Sequence, residues 1–170
     1  MAAIIFTVLI VLDQWTKGLA ERLIGAGGSV TVIPGFFELH CSYNKGAAWS
    51  IFADKAWGLT FLTILSSVVL LALLWYLSKI ENQKARIVLI LLAAGSAGNL
   101  IDRLRIGAVA DFLSFTFGSF VFPTFNLADS MVTVGAGLLI IFAFIDHNFL
   151  TTQFKKGERN SKPDPVDPEE

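Results

Sequence analysis

Two aspartates stand among apolar residues, where an acidic side chain is unfavourable unless it has a specific role. Asp111 is flanked by Ala110 and Phe112, and Asp129 lies near the start of a long apolar stretch. Two carboxylates that meet in a medium of low dielectric cannot both ionise cheaply, so one keeps a proton while the other stays charged. The charged member can take a proton from a water that attacks an amide carbonyl, and the protonated member can hydrogen-bond the carbonyl oxygen. Amide hydrolysis is therefore the chemistry that these aspartates could perform if the fold brings them together.

Asp129 also fits a structural role at the start of a helix. Asn126 follows Pro123 and Thr124, and Asp129 stands three residues after Asn126, as in a capping box. Capping and catalysis are compatible, so both roles stay open for Asp129. The neighbours of Asp111 indicate neither a cap nor a turn, which leaves that carboxylate without a structural explanation.

Further polar side chains lie within the apolar stretches. An ionisable side chain in a membrane is energetically unfavourable unless it has a partner. Asp13 and Lys17 are four residues apart and can pair along one helix face, which indicates a structural role. Asn99, Asp102 and Arg103 follow i, i+3, i+4 spacing, so one helix can direct all three into a bundle. We expect these groups to cluster at one level of the membrane.

The residues do not support other hydrolytic chemistries. A zinc peptidase helix needs the pattern His-Glu-x-x-His, but the two histidines, His40 and His147, are expected on opposite sides of the membrane, so we expect neither a metal nor a cofactor. Ser96 lies in Gly-Ser-Ala-Gly, one position early relative to the Gly-x-Ser-Gly of rhomboid proteases, and no histidine is placed to serve it. Cys41 is the only cysteine, which excludes an intrachain disulfide and a cysteine cage for a metal.

The composition predicts a membrane protein. Of the 170 residues, 54% are hydrophobic and only 16% are charged, and the mean hydropathy is +0.65. Long apolar stretches predict helices at about residues 3–24, 57–77, 85–103 and 126–146, each near the ~20 residues that span a bilayer. A soluble four-helix bundle would need a polar stripe on each helix, and the second stretch has none. The net charge of −1 argues against nucleic acid as a partner.

Lysine and arginine near the membrane ends predict the orientation. The loop between the second and third helices carries Lys79, Lys84 and Arg86, and the C-terminal tail is also basic, whereas the other two connections carry few positive charges. We therefore expect residues 1–150 to form one four-helix membrane domain with both termini in the cytoplasm. Residues 151–170 are charged and rich in proline, which predicts a disordered cytoplasmic tail.

The segment after the first helix predicts a small extracytoplasmic β-sheet, so that the fold is mainly α-helical with four transmembrane helices and this sheet. Residues 37–43 alternate apolar and polar side chains, which is typical of a half-buried strand. Residues 30–33 are the candidate partner strand across a Pro-Gly turn, and the outer β region is expected at about residues 28–52. The second outer segment has six phenylalanines between residues 112 and 125, which suit a membrane interface or an apolar ligand.

Four sequence blocks resemble the bacterial lipoprotein signal peptidases, or signal peptidase II family, along nearly the whole chain up to about residue 149. The first block reads Asp-Gln-Trp-Thr-Lys at 13–17, and the second reads Tyr-Asn-Lys-Gly-Ala-Ala-Trp-Ser at 43–50. The third reads Gly-Asn-Leu-Ile-Asp-Arg at 98–103 and continues to Val-Ala-Asp-Phe at 109–112, and the fourth reads Phe-Asn-Leu-Ala-Asp-Ser at 125–130. Four blocks in this order, at the expected ends of four helices, are highly specific.

The resemblance implies an intramembrane aspartyl endopeptidase with Asp111 and Asp129 as the catalytic pair. It also implies a substrate-binding set around this pair, formed by Asn44, Gly46, Asn99, Arg103 and Asn126. The implied substrate is a prolipoprotein whose signal peptide is cut just before a diacylglyceryl-modified cysteine, held by the small sheet. The implied location is the phospholipid bilayer of the bacterial cytoplasmic (inner) membrane, with the active site at the outer face, and we expect a monomer.

Two other functions stay open on the sequence. A small proton-coupled transporter could relay charge through Asp111, Asp129 and Arg103, but such sites usually lie near the membrane midplane between repeats, and no repeat is visible in this chain. The second open function is that of a structural assembly factor with four membrane spans. In that case the carboxylates should be replaceable without loss of function.

Overall fold

The computed structural model describes residues 1–46, 52, 54–80, 82–146 and 149. The elements in chain order are helix α1 (Ala2–Leu23), strands β1 (Ser29–Ile33) and β2 (Phe37–Asn44), helices α2 (Gly58–Lys79) and α3 (Gln83–Ile106), strands β3 (Val109–Phe117) and β4 (Phe120–Val121), and helix α4 (Leu127–Ile145). The predicted fold class, four long apolar helices with a small sheet, is confirmed. The expected tail at 151–170, His147, and residues 47–51 of the expected β region lie outside the described residues.

Helix α3 is the centre of the helical part. All four helices are long and apolar enough to cross a membrane. In an 18-residue stretch of α3, 67% of the residues are buried, against 11% in α1, 11% in α2 and 17% in α4. The three outer helices therefore expose large apolar side chains such as Val68, Leu71 and Ile140. Such side chains are favourable in contact with lipid chains and unfavourable in contact with water.

Small residues let the helices approach α3 closely. A Cβ atom added at Gly95 would collide with the backbone carbonyl of Ala128 at the start of α4. A Cβ atom added at Gly98 would collide with the carboxylate of Asp13 on α1. Close contact through small residues is how helices associate where lipid gives no hydrophobic driving force, so these glycines let α1 and the start of α4 lie close to α3.

Helix α3 extends further at both ends than the predicted 85–103. The Asn82 side chain caps its start by accepting hydrogen bonds from the backbone N–H groups of Lys84 and Ala85, at 2.9 and 3.2 Å. Its end is set by Gly107, which has a φ of +68° in the left-handed region. Arg105 lies beyond the predicted end and does not stop the helix, because positive charge is favourable at a helix C-terminus.

The strands form one antiparallel sheet in the order β1-β2-β3-β4. The predicted pairing of β1 with β2 is confirmed. Strands β3 and β4 come from the second outer segment, which the sequence indicated only as a phenylalanine-rich stretch. Rings of that segment stack within the sheet, since Phe115 lies 4.6 Å from Phe37 and 5.8 Å from Phe125 between ring centroids. The register sets Asp111 on β3 opposite Ser42 on β2.

Candidate active site

The N-terminus of α4 fixes Asp129. Asn126 is the N-cap residue, and its side-chain oxygen accepts the backbone N–H of Asp129 at 2.9 Å. In return, one carboxylate oxygen of Asp129 accepts the backbone N–H of Asn126 at 3.2 Å. The predicted capping box is therefore confirmed. It uses only the Oδ2 atom of Asp129, so the Oδ1 atom is free of the capping role.

Strand β3 carries Asp111 to the same place. The backbone N–H groups of Phe112 and Leu113 both donate to the carbonyl of Phe125, at 3.0 and 2.8 Å, and the N–H of Phe125 donates to the carbonyl of Leu113 at 3.0 Å. These bonds tie the residue just before the α4 cap to the strand residues just after Asp111. Asp111 is buried at this junction, with 3% of its surface exposed.

Two side-chain amides link the two carboxylates. Asn126 Nδ2 donates to Asp111 Oδ1 at 2.7 Å, and Asn99 Nδ2 donates to Asp129 Oδ1 at 2.7 Å. The amides also contact each other, because Asn126 Nδ2 lies 3.1 Å from Asn99 Oδ1. The two aspartates are thus joined through these amides in one hydrogen-bonded unit, built from α3, β3 and α4.

A second group of residues borders Asp111 on the side of β2. Asn44 Nδ2 donates to Asp111 Oδ2 at 3.2 Å, and the backbone N–H of Gly46 donates to Asn44 Oδ1 at 2.8 Å. Arg103 reaches the same turn, since its Nη2 donates to the carbonyl of Gly46 at 3.3 Å. The Nε atom of Arg103 is buried and has no hydrogen-bond partner among the described residues.

A buried ionic cluster lies behind this site. The Lys17 ammonium is 2.9 Å from Asp13 Oδ2 and 3.0 Å from Asp102 Oδ2, and all three side chains are fully buried. The predicted pairing of Asp13 with Lys17 is therefore confirmed, with Asp102 as a third member. Asp102 also accepts the backbone N–H of Ala110 on β3 at 3.2 Å, so the cluster joins α1 and α3 to the residue that precedes Asp111.

Gln14 completes this cluster, although no role was predicted for it from the sequence. Its side-chain amide donates to Asp102 Oδ1 at 3.0 Å and to the carbonyl of Gly98 at 3.2 Å. The signal was its place beside Asp13 within an apolar span, where an amide also needs partners. Asp13 in turn accepts the backbone N–H of Ala128 at 2.9 Å, which satisfies one of the free donors at the start of α4.

Burial perturbs the acidity of Asp111. The loss of water around the carboxylate, followed by the nearby negative charge of Asp129, raises the pKa of Asp111 to about 7. The hydrogen bonds from Asn44 and Asn126 act in the opposite direction, because they favour the ionised form. With this pKa, the Asp111 carboxylate is partly protonated near neutral pH.

A cavity of about 880 Å³ lies in front of both aspartates. Its lining includes both carboxylates and four of the five residues expected to bind substrate, namely Asn44, Gly46, Asn99 and Arg103. The fifth, Asn126, is fully buried behind the aspartates. The remaining walls are largely apolar and include Phe122, Phe125, Val132 and Val134. The cavity can hold a water and an amide group at one wall and aliphatic chains along the others.

Comparisons with known proteins agree with this architecture. The family model described as Signal peptidase (SPase) II matches residues 5–145. The lipoprotein signal peptidase of Syntrophotalea carbinolica is 37% identical over 145 residues, which cover 84% of this chain and 90% of that protein. The lipoprotein signal peptidase of Bacillus pumilus is 40% identical over 146 residues, which cover 84% of this chain and 92% of that protein.

Two solved structures, each described as a bacterial membrane enzyme, have the same fold. One superposes with a TM-score of 0.75 at 33% identity and covers 97% of this chain and 93% of its own. The other superposes with a TM-score of 0.74 at 35% identity and covers 85% of this chain and 93% of its own. The four-helix membrane fold, the match over residues 5–145 and the identity to these relatives show that the chain belongs to the signal peptidase II family of aspartic-type membrane endopeptidases.

Proposed function

We propose that this chain cuts the peptide bond just before the diacylglyceryl-modified cysteine of a prolipoprotein, with Asp111 and Asp129 activating the attacking water. The observation that carries the proposal is the amide bridge that links the two carboxylates at one wall of the cavity. Membership of the lipoprotein signal peptidase family supports signal-peptide removal from lipoproteins, and favours it over proton-coupled transport by the same acids.

The reaction needs one proton on the pair at the start. The ionised aspartate accepts a proton from water as the water oxygen attacks the carbonyl carbon, while the protonated aspartate hydrogen-bonds the carbonyl oxygen. A proton then passes to the cysteine nitrogen as the C–N bond breaks. The products are a carboxylate on the signal peptide and a free amine on the lipidated cysteine. The pKa of about 7 for Asp111 supports this one-proton state near neutral pH.

The remaining polar residues divide into two roles in this proposal. Asn44, Gly46 and Arg103 border the cavity, and we assign them to the backbone of the bound substrate. Arg103 offers a buried Nε donor that has no partner among the described residues, and Asn44 also donates to Asp111. Asn99 and Asn126 donate to the aspartates and are assigned to holding them. The apolar walls of the cavity suit the signal peptide and the acyl chains of the substrate.

The proposed location follows from charge and from the substrate. The basic loop between α2 and α3 supports a cytoplasmic position for that end of the bundle, and therefore for both termini, by the positive-inside rule. The site then faces the outer surface of the cytoplasmic membrane, at the headgroup level of an anchored lipoprotein. A monomer suffices for the proposed reaction, because one chain supplies both aspartates and all of their amide donors.

The test is cleavage of a lipidated precursor by purified variants in lipid. Asp111→Asn and Asp129→Asn should each abolish turnover while the protein stays folded and inserted in the membrane. Asp54→Asn, which changes an exposed carboxylate outside the cavity lining, is the matched control and should cleave at the wild-type rate. Substantial turnover by either active-site variant would falsify the catalytic pair.

A further inference from the structure

The Lys17 ammonium makes three short contacts, and only two of them are to acids. Besides Asp13 and Asp102, its Nζ atom donates to Asn99 Oδ1 at 3.0 Å. An ammonium has three N–H donors and no acceptor, so these three partners match its full donor capacity. Lys17 is fully buried. Among the described residues, the only other cation close to either acid is Arg105, whose Nη2 lies 4.0 Å from Asp102 Oδ1.

This contact determines which way the Asn99 amide faces. The atom next to a lysine ammonium must be the carbonyl oxygen, because the NH₂ group would meet another donor. The NH₂ group therefore faces the other way, where it donates to Asp129 Oδ1 at 2.7 Å. If the amide were reversed, its oxygen would face a carboxylate oxygen and its NH₂ would face the ammonium, so both contacts would become repulsive.

We infer that Lys17 is a positioning residue for the reaction, which acts through Asn99 to hold the carboxylate of Asp129. The inference rests on the proposed function. Asp111 is held by another amide, that of Asn126, whose NH₂ group also donates to Asn99 Oδ1 and whose oxygen accepts the backbone N–H of Asp129 at the start of α4. Each aspartate thus receives an amide whose direction is set by a different neighbour.

The experiment is a double-mutant cycle on kcat and KM with a lipidated precursor. Lys17→Met should lower kcat by about 10- to 100-fold, the value of one hydrogen bond to a charged group, and leave KM near the wild-type value, since Lys17 does not line the cavity. Asn99→Leu removes the amide itself. In the Asn99→Leu background, Lys17→Met should lower kcat by less than about threefold, because residues that act through one another are not additive.

A second variant separates positioning from folding. Lys17→Met leaves two buried carboxylates without their cation, which is destabilising. The triple variant Asp13→Asn/Lys17→Met/Asp102→Asn removes the buried charges together. It takes the place of Lys17→Met in a second double-mutant cycle with Asn99→Leu. A folded Lys17 variant that keeps kcat within twofold, or losses that multiply in the Asn99→Leu background, would overturn the positioning role. Cleavage by Asp111→Asn or Asp129→Asn would instead refute the proposed function, so the two failures are distinguishable.

Discussion

Replacing Asp111 by asparagine should abolish cleavage and yet make the protein more stable at alkaline pH. The folded protein raises the pKa of this carboxylate from 3.8 to about 7, chiefly by burial. An acid whose pKa is raised by folding destabilises the fold once it ionises. The stability of the wild type should therefore fall as the pH rises from about 4 to about 7 and then level off, whereas asparagine has no such ionisation.

The magnitude follows from the two pKa values. The difference between 3.8 and about 7 corresponds to ~4 kcal/mol of unfolding free energy, fully lost by pH 9 and about one third to one half lost at pH 5. The variant also loses one acceptor, because Asn44 and Asn126 both donate to this carboxylate, at a cost of ~1 kcal/mol. We expect Asp111→Asn to be more stable than the wild type by about 3 kcal/mol at pH 9, and within about 1 kcal/mol of it at pH 5.

The assay is thermal unfolding in lipid–detergent micelles between pH 5 and pH 9, followed by the fluorescence of the four tryptophans. Asp54→Asn removes an exposed carboxylate and should follow the wild-type curve at every pH. The reasoning would be refuted if the difference between Asp111→Asn and the wild type did not grow with pH, or if the variant were the less stable protein at pH 9.

Three further predictions follow from the same geometry. The kcat/KM of the wild type should fall about tenfold per pH unit above pH ~7, as Asp111 loses the proton that the pair needs, and a flat profile up to pH 9 would contradict this. Arg103→Ala should reduce cleavage more than Arg105→Ala, because only the first guanidinium lines the cavity and the second is half exposed; equal losses would remove that assignment. Gly98→Ala should lower the unfolding free energy by ~1–3 kcal/mol, since its Cβ meets a buried carboxylate, whereas Gly18→Ala, with open space around it, should be neutral or slightly stabilising in thermal unfolding; equal effects would contradict the packing argument.

Local patterns in the sequence determined the four helices, the first two strands and the polar residues that could do chemistry. Four apolar stretches predict four spans because length and hydropathy act within each stretch. The capping box of Asn126 and Asp129 and the pairing of Asp13 with Lys17 were predicted because the partners are three and four residues apart, and both are seen. The strand at residues 37–43 was predicted for the same local reason, through its alternation of side chains.

The tertiary structure decided how these pieces meet. Strand β3 pairs with β2 across about seventy residues of chain, and phenylalanine-rich sequence alone does not distinguish such a strand from a membrane anchor. The amide bridge between Asp111 and Asp129, and the contact of Lys17 with Asn99, join side chains on different elements. Such contacts depend on how each helix is rotated and how closely it packs against its neighbours. A residue pattern along one helix specifies which face is polar, but it does not specify which polar atoms of other elements that face will contact.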